Sequence, residues 1–455
     1  MKLLSPEAWA AYQGAFIALW TDATHAYALY EPGELVAVEL QDGAYPALPY
    51  PGADWFQRLA KDLNGHITTG FQATETAIEQ FRAPDGRGPW PDFTGPDIEG
   101  VHQVALGPVY GDITEPSHFR FFVLGQQILK LKIRQGYAHR GILGLMRGKS
   151  PRQAARYAAR VSGDATVSHS IAFARAAEIA LRVDVPERAY FLRAVMAEIE
   201  RLSNHCQDLG ESAGLAGFTL LAGRFALLRE YLANAAASAF GHRLMMDVVI
   251  PGGVTKDMAE EGDEWLQGVL ARLEDELPAL QTMFMESGGL HEHLVGVGMI
   301  PEVLAQAYNA GGYVGRGSGQ VCDARVTPGY LPYTALDVQV PLEQGGDVAA
   351  RVKVRFAEME ESLRLLQALL AALPAGPLAV ALPTETGVGL GVAESFRGPV
   401  WYWLKIENGQ IHDAAFVDAS VTQWRLLEAA SINATLVDFP MIARSIAPSV
   451  AGVDG

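Results

Sequence analysis

An alanine-rich run at residues 168–183, in which ten of the sixteen residues are apolar, constrains the fold more than any other feature. A helix without a polar face has no side that can lie against water, so other elements must surround it. The chain has 455 residues, 49% of them hydrophobic, which is enough for a large core and for two domains. The run therefore predicts a helix buried inside a large helical body.

Other long segments also carry the apolar spacing of helices. In residues 186–210 the apolar positions recur every three or four residues, at Phe191, Leu192, Val195, Met196, Ile199 and Leu202. Three further long helices are predicted at 224–242, 257–285 and 345–373. Ser150 followed by Pro151 is typical of a helix start.

The part before residue 140 reads differently. Residues 1–82 predict a small α/β unit with strands at 26–29 and 35–40 and a helix at 55–63, and the Pro- and Gly-rich stretch 83–100 predicts a linker. Residues 101–140 read as short strands, with Leu131 and Ile133 alternating with basic residues. The predicted fold class is α+β: a mainly helical body at 101–455 with a small antiparallel sheet, preceded by the small unit.

Charge and cysteine content exclude several classes of function. A net charge of −17 argues against a nucleic-acid-binding protein, which needs clustered Lys and Arg. Cys206 and Cys322, the two cysteines, lie far apart and form no C-x-x-C motif, so each is predicted to be a small buried side chain. The apolar window 365–382 is too short and too interrupted by Pro and Gly for a membrane span, and no secretory signal is visible. We therefore expect a cytoplasmic protein.

Motifs spread over residues 101–455 resemble a known family. They are GPVYGDITEPSHFRF (107–121), GYAHRGI (136–142), RVSGDATVSH (160–169), VPERAYFLRAVMAEIERLSNHCQDLG (185–210), PGGVTKD (251–257), RGSGQVCDAR (316–325), ESFRG (394–398) and DFPMIARSIAPSVAG (438–452). In this order they resemble the large subunit of nickel–iron hydrogenases and the 49-kilodalton-type subunit of complex I. The resemblance implies the hydrogenase large-subunit fold. The N-terminal unit is similar to a shortened 30-kilodalton-type subunit of complex I.

The chain departs from this family at the metal ligands. The resemblance places the four metal-binding cysteines of the nickel–iron enzymes at Ser162, Ala165, Ser449 and Gly452. Alanine and glycine offer no ligand atom, and a hydroxyl replaces poorly the soft thiolate that nickel prefers. We therefore predict no metal site in this chain. Ala447 stands where the family has an aspartate, and with three residues after Gly452 we expect no C-terminal extension to be removed.

The resemblance also implies which polar residues line the vacated metal cavity. We assign proton handling to four of them and cofactor contacts to four others: Glu115, Asp164, His169 and Arg397, then Tyr110, His118, Asp323 and Ser449. An acid, an imidazole and a guanidinium that lie close together shift one another's pKa and can move protons. The alternative is that these residues are hydrogen-bonded members of the core.

In complex I the corresponding cavity is a quinone chamber, but its contacts are not reproduced here. Its quinone-facing tyrosine corresponds to Gly163 and its first histidine to Tyr110, whereas His118 fills a later histidine position. Behind the cavity, the spacing of Glu198 and Arg201 predicts an ion pair within a helix. The HEH sequence at 291–293 lacks metal-ligand spacing and predicts a loop or surface segment.

These observations favour a core subunit of a membrane-associated oxidoreductase complex related to complex I and energy-converting hydrogenases. Such a chain carries no redox group of its own, because two isolated cysteines cannot hold a cluster. We expect an iron–sulfur cluster in a small partner subunit, a quinone as one candidate acceptor, and attachment to the cytoplasmic face of the membrane through other chains. A structural adaptor, with the cavity filled by neighbours such as Met441 or Phe396, and a functional hydrogenase are the alternatives.

Overall fold

The computed structural model of the chain describes residues 1–71, 76–78, 93–109 and 115–455. The N-terminal part is an α/β unit with a four-stranded sheet of order β1-β4-β3-β2, in which β1 and β4 are parallel and the other pairs antiparallel. A parallel pair, β5 and β6, lies beside it. The elements are β1 (Lys2–Leu4), α1 (Pro6–Ala10), β2 (Phe16–Thr21), β3 (His25–Tyr30), β4 (Glu34–Glu39), β5 (Ala44–Pro46), α2 (Ala53–Asn64) and β6 (Ile67–Thr69). The two strands and the helix predicted here coincide with β3, β4 and α2.

The body opens with an antiparallel sheet of order β7-β8-β9, as predicted for residues 101–140. Its strands are β7 (Val101–Leu106), β8 (His118–Leu124) and β9 (Gln127–Arg134). In β9, Leu131 and Ile133 are buried while Lys130 and Lys132 are half-buried, as the predicted alternation requires. The alternation fails at its two ends, because Leu129 is half-buried and Arg134 is buried. Residues 79–92 lie outside the described part, and the linker at 83–100 stays a prediction.

Helices make up most of the remaining body. They are α3 (Ile142–Met146), α4 (Pro151–Ala158), α5 (Thr166–Leu181), α6 (Glu187–Leu215), α7 (Thr219–Phe240), α8 (Glu260–Glu286), α9 (Gly288–Leu294), α10 (Glu302–Ala307), α11 (Gly312–Arg316), α12 (Val348–Ala371), α13 (Ser420–Ala430), α14 (Phe439–Ile446) and α15 (Ala451–Asp454), with a short hairpin of β10 (Val249–Ile250) and β11 (Gly253–Val254) after α7. All five predicted long helices are present. Among the described helices, none combines the length and the apolar character that crossing a bilayer requires.

Helix α5 is the helix that the apolar run predicts. Fourteen of its sixteen residues are buried, which confirms that other elements surround it. It begins and ends two residues earlier than predicted. It ends at Leu181 because Arg182 adopts a left-handed conformation (φ 52°) that stops the helix.

A three-stranded antiparallel sheet that the sequence analysis did not predict covers this helix. Its strands are β12 (Gly387–Ser395), β13 (Gly398–Glu407) and β14 (Gln410–Val417). Gly387, Gly389 and Gly391 share one face of β12, and a Cβ atom at any of them would lie 2.0–2.3 Å from a carbonyl oxygen of α5. Those oxygens belong to alanines one helical turn apart: Ala180, Ala176 and Ala172. The strand therefore lies directly on the helix backbone.

The N-terminal unit packs on the outer part of this sheet. The rings of Tyr27 and Trp403 lie 4.9 Å apart, and those of Trp20 and Trp403 5.7 Å apart. At the edge of the contact, Lys405 Nζ is 3.7 Å from the carboxylate of Asp22. The small unit and the body are thus joined through an aromatic contact.

We expect Gly389→Ala to lower the free energy of unfolding by about 1–3 kcal/mol, because the added methyl group would collide with the α5 backbone. Urea unfolding measures the change. The control is Gly268→Ala on the exposed face of α8, where nothing lies within 4 Å, so stability should be equal or slightly higher. Equal stability of the Gly389 variant and the wild type would contradict the close packing.

Candidate functional site

The four positions that correspond to the lost cysteines come from two segments that meet. Ser162 and Ala165 lie between α4 and α5, and Ser449 and Gly452 lie at the start of α15. The hydroxyl oxygens of Ser162 and Ser449 are 3.0 Å apart, and the Ser449 oxygen accepts a hydrogen bond of 3.0 Å from the Gly452 amide. Ala165 is fully buried, and a Cβ at Gly452 would lie 3.0 Å from the carboxyl carbon of Asp418. Hydrogen bonds and packed small residues thus connect the two segments.

Asp164 and Arg397 form an ion pair beside the two serines. Both terminal nitrogens of Arg397 donate to the Asp164 carboxylate, one of them at 3.0 Å, and the Ser162 hydroxyl donates to the same carboxylate at 2.5 Å. Burial disfavours the charge of Asp164, but the guanidinium and the hydroxyl together lower its pKa below the ordinary value. Arg397 also donates from Nε to the carbonyl of Ala447 at 2.6 Å. The pair therefore stays charged and ties the turn before β13 to the tail.

The pair borders a cleft of about 350 Å³, which we call the Gly163 cleft. Its described lining comprises Glu115, Ser162, Gly163, Asp164, Glu200, Ser203, Asn204, Gln207, Arg229, Ala233, Arg243, Leu244, Met245 and Ser449. The side chain of Asp164 is 34% exposed, and a Cβ at Gly163 would meet nothing within 4 Å. Met441 and Phe396, the candidates for filling the cavity, are buried elsewhere and are not among the described residues of the lining. The cleft is open at Gly163.

Two carboxylates at the cleft cap helix starts. Glu200 accepts hydrogen bonds from the amides of Val167 and Ser168 (2.6 and 3.0 Å) and from the Ser168 hydroxyl (2.6 Å), at the beginning of α5. Burial outweighs these bonds and raises the pKa of Glu200 to about 7. Glu115 accepts from the amides of Val450 and Ala451, at 2.6 and 3.1 Å, where α15 begins. Glu200 is thus a cleft-lining acid that can change charge near neutral pH.

His169 lies in the core behind this cleft. Its ring nitrogens are 3.1 Å from the hydroxyl of Tyr402 and 3.1 Å from a carboxylate oxygen of Asp418. Asp418 also accepts from the amide of Ser420 at 2.7 Å. Despite burial, the contacts with His169 and the charge of Arg397 lower the pKa of Asp418 to about 2. His169 is completely buried, and each of its ring nitrogens has a hydrogen-bonding partner.

Of the eight predicted site residues, Glu115, Asp164 and Ser449 line the cleft, and Arg397 is connected to it through its ion pair with Asp164. His118 begins β8, with its ring 4.9 Å from that of Phe93, and it is not among the described residues of the lining. Asp323 belongs to a separate buried cluster, 2.7 Å from a terminal nitrogen of Arg325. Tyr110 lies outside the described residues.

Several residues at the site were missed by the sequence analysis. Asp418 stands two residues before Ser420, where α13 begins, and an acid in that place is a recognisable start signal for a helix. Arg229 and Arg243 come from α7 and the loop after it, where no local pattern sets them apart. The predicted pair of Glu198 and Arg201 is present at 3.3 Å, although it is fully buried.

The HEH segment forms part of the short helix α9 instead of a loop. His291 is exposed, and His293 Nδ1 lies 3.8 Å from the carboxylate of Asp438. The predicted surface position is thus confirmed, and the predicted loop is wrong.

The residues at the vacated positions do not fit a nickel–iron centre. Ser162 and Ser449 present hydroxyls that already bond to each other and to Asp164, while Ala165 and Gly452 have no donor atom in their side chains. Nickel in such a site needs soft thiolate ligands. The chemistry of the cleft must therefore be derived from the hydroxyls, carboxylates and guanidiniums.

Comparison with known proteins agrees with the motifs. Residues 140–208 match the family model described as nickel-dependent hydrogenase, and residues 217–388 match that of the respiratory-chain NADH dehydrogenase 49 Kd subunit. An NADH-quinone oxidoreductase subunit of Acidiphilium cryptum is 32% identical over 62% of this chain and 70% of its own length. The chain belongs to this family of hydrogenase and complex I large subunits.

Two further comparisons cover more of the chain. Formate hydrogenlyase subunit 5 of Escherichia coli is 27% identical over 92% of this chain and 78% of its own length. In the solved structure of the membrane-bound sulfane sulfur reductase, an archaeal respiratory membrane complex, one chain superimposes with a TM-score of 0.74 at 22% identity and covers 79% of this chain and 100% of its own. The predicted family and the α+β fold class are thus confirmed.

We expect Asp418→Asn to lower the free energy of unfolding at pH 7 by about 2 kcal/mol, because an acid with a depressed folded-state pKa stabilises the folded state when charged. That contribution is complete above about pH 4 and is lost as pH falls toward about 2. The difference between variant and wild type should therefore shrink over this range in urea unfolding, with the exposed Asp275→Asn as the surface control. A difference that stays constant between pH 7 and pH 3 would contradict the role of the charge.

Proposed function

We propose that this chain is a core subunit of a membrane-associated oxidoreductase complex related to complex I and energy-converting hydrogenases. In this proposal a partner subunit carries the iron–sulfur cluster that delivers electrons, and the Gly163 cleft receives the acceptor. The observation that carries the proposal is the charged Asp164–Arg397 pair at an open cleft, where relatives with nickel–iron chemistry hold their metals. The likeness to a subunit of formate hydrogenlyase and to one of NADH-quinone oxidoreductase supports it.

The residues of the cleft are suited to holding an acceptor and supplying protons. Arg397 and Ser162 hold the Asp164 carboxylate in one orientation, and the hydroxyls of Ser162 and Ser449 can both donate and accept. Glu200, with its pKa near 7, can release a proton into the cleft and take one up again. Reduction of an acceptor by the partner's electrons would draw its protons from this set.

The lining also indicates which acceptors suit the cleft. Arg229 and Arg243 offer guanidinium donors to a carbonyl or anionic oxygen, while Leu244 and Met245 offer apolar contact to a ring. A quinone head group has both features, so it is the acceptor that we propose to test first. The contacts would differ from those in complex I, because Gly163 replaces the quinone-facing tyrosine.

Other chains supply the membrane attachment in this proposal, and this subunit lies on the cytoplasmic face. Purification of the complex through an affinity tag on this chain, followed by metal analysis, electron paramagnetic resonance and a density map, tests the arrangement. We expect a partner iron–sulfur cluster that faces the Gly163 cleft and no stoichiometric nickel. A complex with no cluster near Glu115, His169 and Arg397 would exclude the proposal, and stoichiometric nickel would favour a hydrogenase.

We expect Gly163→Leu to abolish electron transfer from the reduced complex to a short-chain quinone while leaving assembly intact. The leucine has room, because nothing lies within 4 Å of a Cβ at Gly163, and its side chain would occupy the cleft. Quinone reduction followed optically in purified complex measures the effect.

Gly268→Leu, at an equally open position on the exposed face of α8, is the matched control and should keep wild-type rates. Unchanged quinone reduction in the Gly163 variant would instead favour a structural adaptor, in which the cleft is not used.

A further inference from the structure

A cluster of seven charged side chains, which we call the Arg316 cluster, lies in the core apart from the Gly163 cleft. It contains four carboxylates and three guanidiniums from α6, α11, α12, β12 and the loop after α11, each at most 1% exposed: Glu198, Asp323, Glu358, Glu394, Arg201, Arg316 and Arg325. Glu394 is the second-last residue of β12 and Arg397 lies in the turn that follows, so the cluster and the ion pair of the cleft are three positions apart along the chain.

In three of the four carboxylates, each oxygen accepts at least one hydrogen that it does not share with another acceptor. Glu198 accepts from the hydroxyls of Tyr333 and Ser362, at 2.6 and 2.7 Å, and from two arginines. Asp323 accepts from Arg325 at 2.7 and 3.0 Å and from the amide of Arg325 at 2.9 Å. Each of these two acids can therefore remain ionised in the core.

Glu358 is the third saturated acid. It accepts from Arg316 Nε at 2.9 Å and from His205 Nε2 at 2.8 Å. Arg355 donates to the other ring nitrogen of His205 at 3.2 Å, so the single ring proton sits on Nε2 and the ring is neutral. Burial lowers the pKa of His205, which agrees with that tautomer. His205 therefore contributes a hydrogen bond to the cluster but no positive charge.

Glu394 is short of one hydrogen. Among the described residues, its carboxylate oxygens meet the Ala324 amide at 3.0 Å and Arg316 Nη1 at 3.1 Å. That nitrogen carries two hydrogens but faces three acceptors, since the Cys322 carbonyl lies at 2.7 Å and Asp323 at 3.2 Å. The carbonyl takes one hydrogen, and the two carboxylates share the other.

The charges of the cluster also show that one positive charge is missing. Four carboxylates and three guanidiniums sum to a net charge of −1. Among the described cations next to the cluster, Arg355 and Arg444 contact the carboxylates of Asp208 and Glu211, and Arg175 lies against the ring of Tyr330, so none of the three forms a described ion pair with a carboxylate of the cluster. An uncompensated charge in the core is costly, and a proton on one carboxyl group removes it.

We propose that Glu394 carries this proton as the neutral acid at neutral pH, and that it serves as the proton-holding residue of the complex behind the Arg397–Asp164 pair. The role in turnover rests on the function proposed above, whereas the protonation state does not. Glu394 takes its proton from solvent and gives it up as a proton alone, leaving the carboxylate. It acts through the charge of the neighbouring Arg397 and does not contact the electron acceptor.

The surroundings of Glu394 agree with a neutral acid. Burial, and then the charge of Asp323, raise its pKa to about 7, against the opposing influence of Arg316 and Arg201. The groups that face it from the packed elements are Asp323 and Arg325 from the loop after α11, Arg316 from α11, Glu198 and Arg201 from α6, Glu358 from α12, and Tyr330, whose oxygen accepts the Glu394 amide hydrogen at 3.0 Å. Arg175 of α5 stacks on the far side of the Tyr330 ring, 4.6 Å from its centre.

The test compares Glu394→Gln with Glu358→Gln in the full chain within its purified complex. Glutamine has the shape of a neutral glutamic acid, so Glu394→Gln should leave the thermal midpoint nearly unchanged at about pH 4.5. An acid with a raised folded-state pKa weakens folding as pH rises from its unfolded-state pKa, near 4.5, to its folded-state pKa, about 7, so this variant should gain on the wild type over that range and keep the gain above it. Glu358→Gln, which removes an ionised partner of Arg316, should lower the midpoint at every pH. A similar loss in both variants would overturn the proposal.

Infrared spectroscopy reads the proton directly. We expect the difference spectrum of wild-type complex minus Glu394→Gln at pH 6 to show the C=O stretching band of a buried protonated carboxyl that shifts in D₂O; the band of Glu200 is common to both samples and cancels. Absence of this difference band would overturn the assignment. Quinone reduction is measured in the same samples: loss of the band without any change of rate between pH 6 and pH 8 would reject the role in turnover but not the neutral acid.

Discussion

Strand β12 packs directly on the backbone of α5, and this contact positions the charged residues of the candidate site. Three glycines on one strand face meet three alanines at one-turn intervals, so no side chain separates the two elements. The contact encloses an apolar helix that could not be stable at a surface. It also aligns the turn before α5, which carries Ser162 and Asp164, with the end of β12 and the turn after it, which carry Glu394 and Arg397 respectively. Both charged groups of the site depend on that alignment.

The vacated metal site is held together by polar contacts of ordinary strength. Charge-assisted hydrogen bonds contribute about 1.5–3 kcal/mol each, and the exposure of Asp164 weakens its share through solvent screening. Arg397 is nearly buried, so loss of Asp164 would leave a guanidinium without its countercharge. The pair is therefore required by the fold as well as suited to the cleft.

Two acids with a pKa near 7 lie on different sides of this pair. Glu200 lines the cleft and caps α5, whereas Glu394 is enclosed in the Arg316 cluster. Burial is the main cause in both, but the compensation differs: Glu200 receives three hydrogen bonds from the start of a helix, and Glu394 shares one guanidinium nitrogen with two other acceptors. Charge can thus change on either side of Arg397 near neutral pH without disrupting the ionised pairs around it.

Local pattern in the amino-acid sequence was enough for the long helices, the first sheet, the family and the loss of the thiolate ligands. Apolar spacing, composition and motif order are properties of neighbouring residues, and a missing cysteine needs no structure to be recognised. The sheet of β12–β14 was not predicted because its first strand is rich in glycine, which is disfavoured in strands. The glycines are explained only by the close packing of this strand against the alanines of α5.

Tertiary structure alone decided which candidate residues meet. Arg397 joins Asp164 across 233 residues and His169 joins Asp418 across 249, so no local periodicity relates them. No local pattern indicates that Asp323 lies in the Arg316 cluster and not at the cleft. Nor does any local pattern show that Glu394 shares its guanidinium hydrogen with another carboxylate. Whether a buried acid is charged depends on counting its donors, and those donors come from segments that only folding brings together.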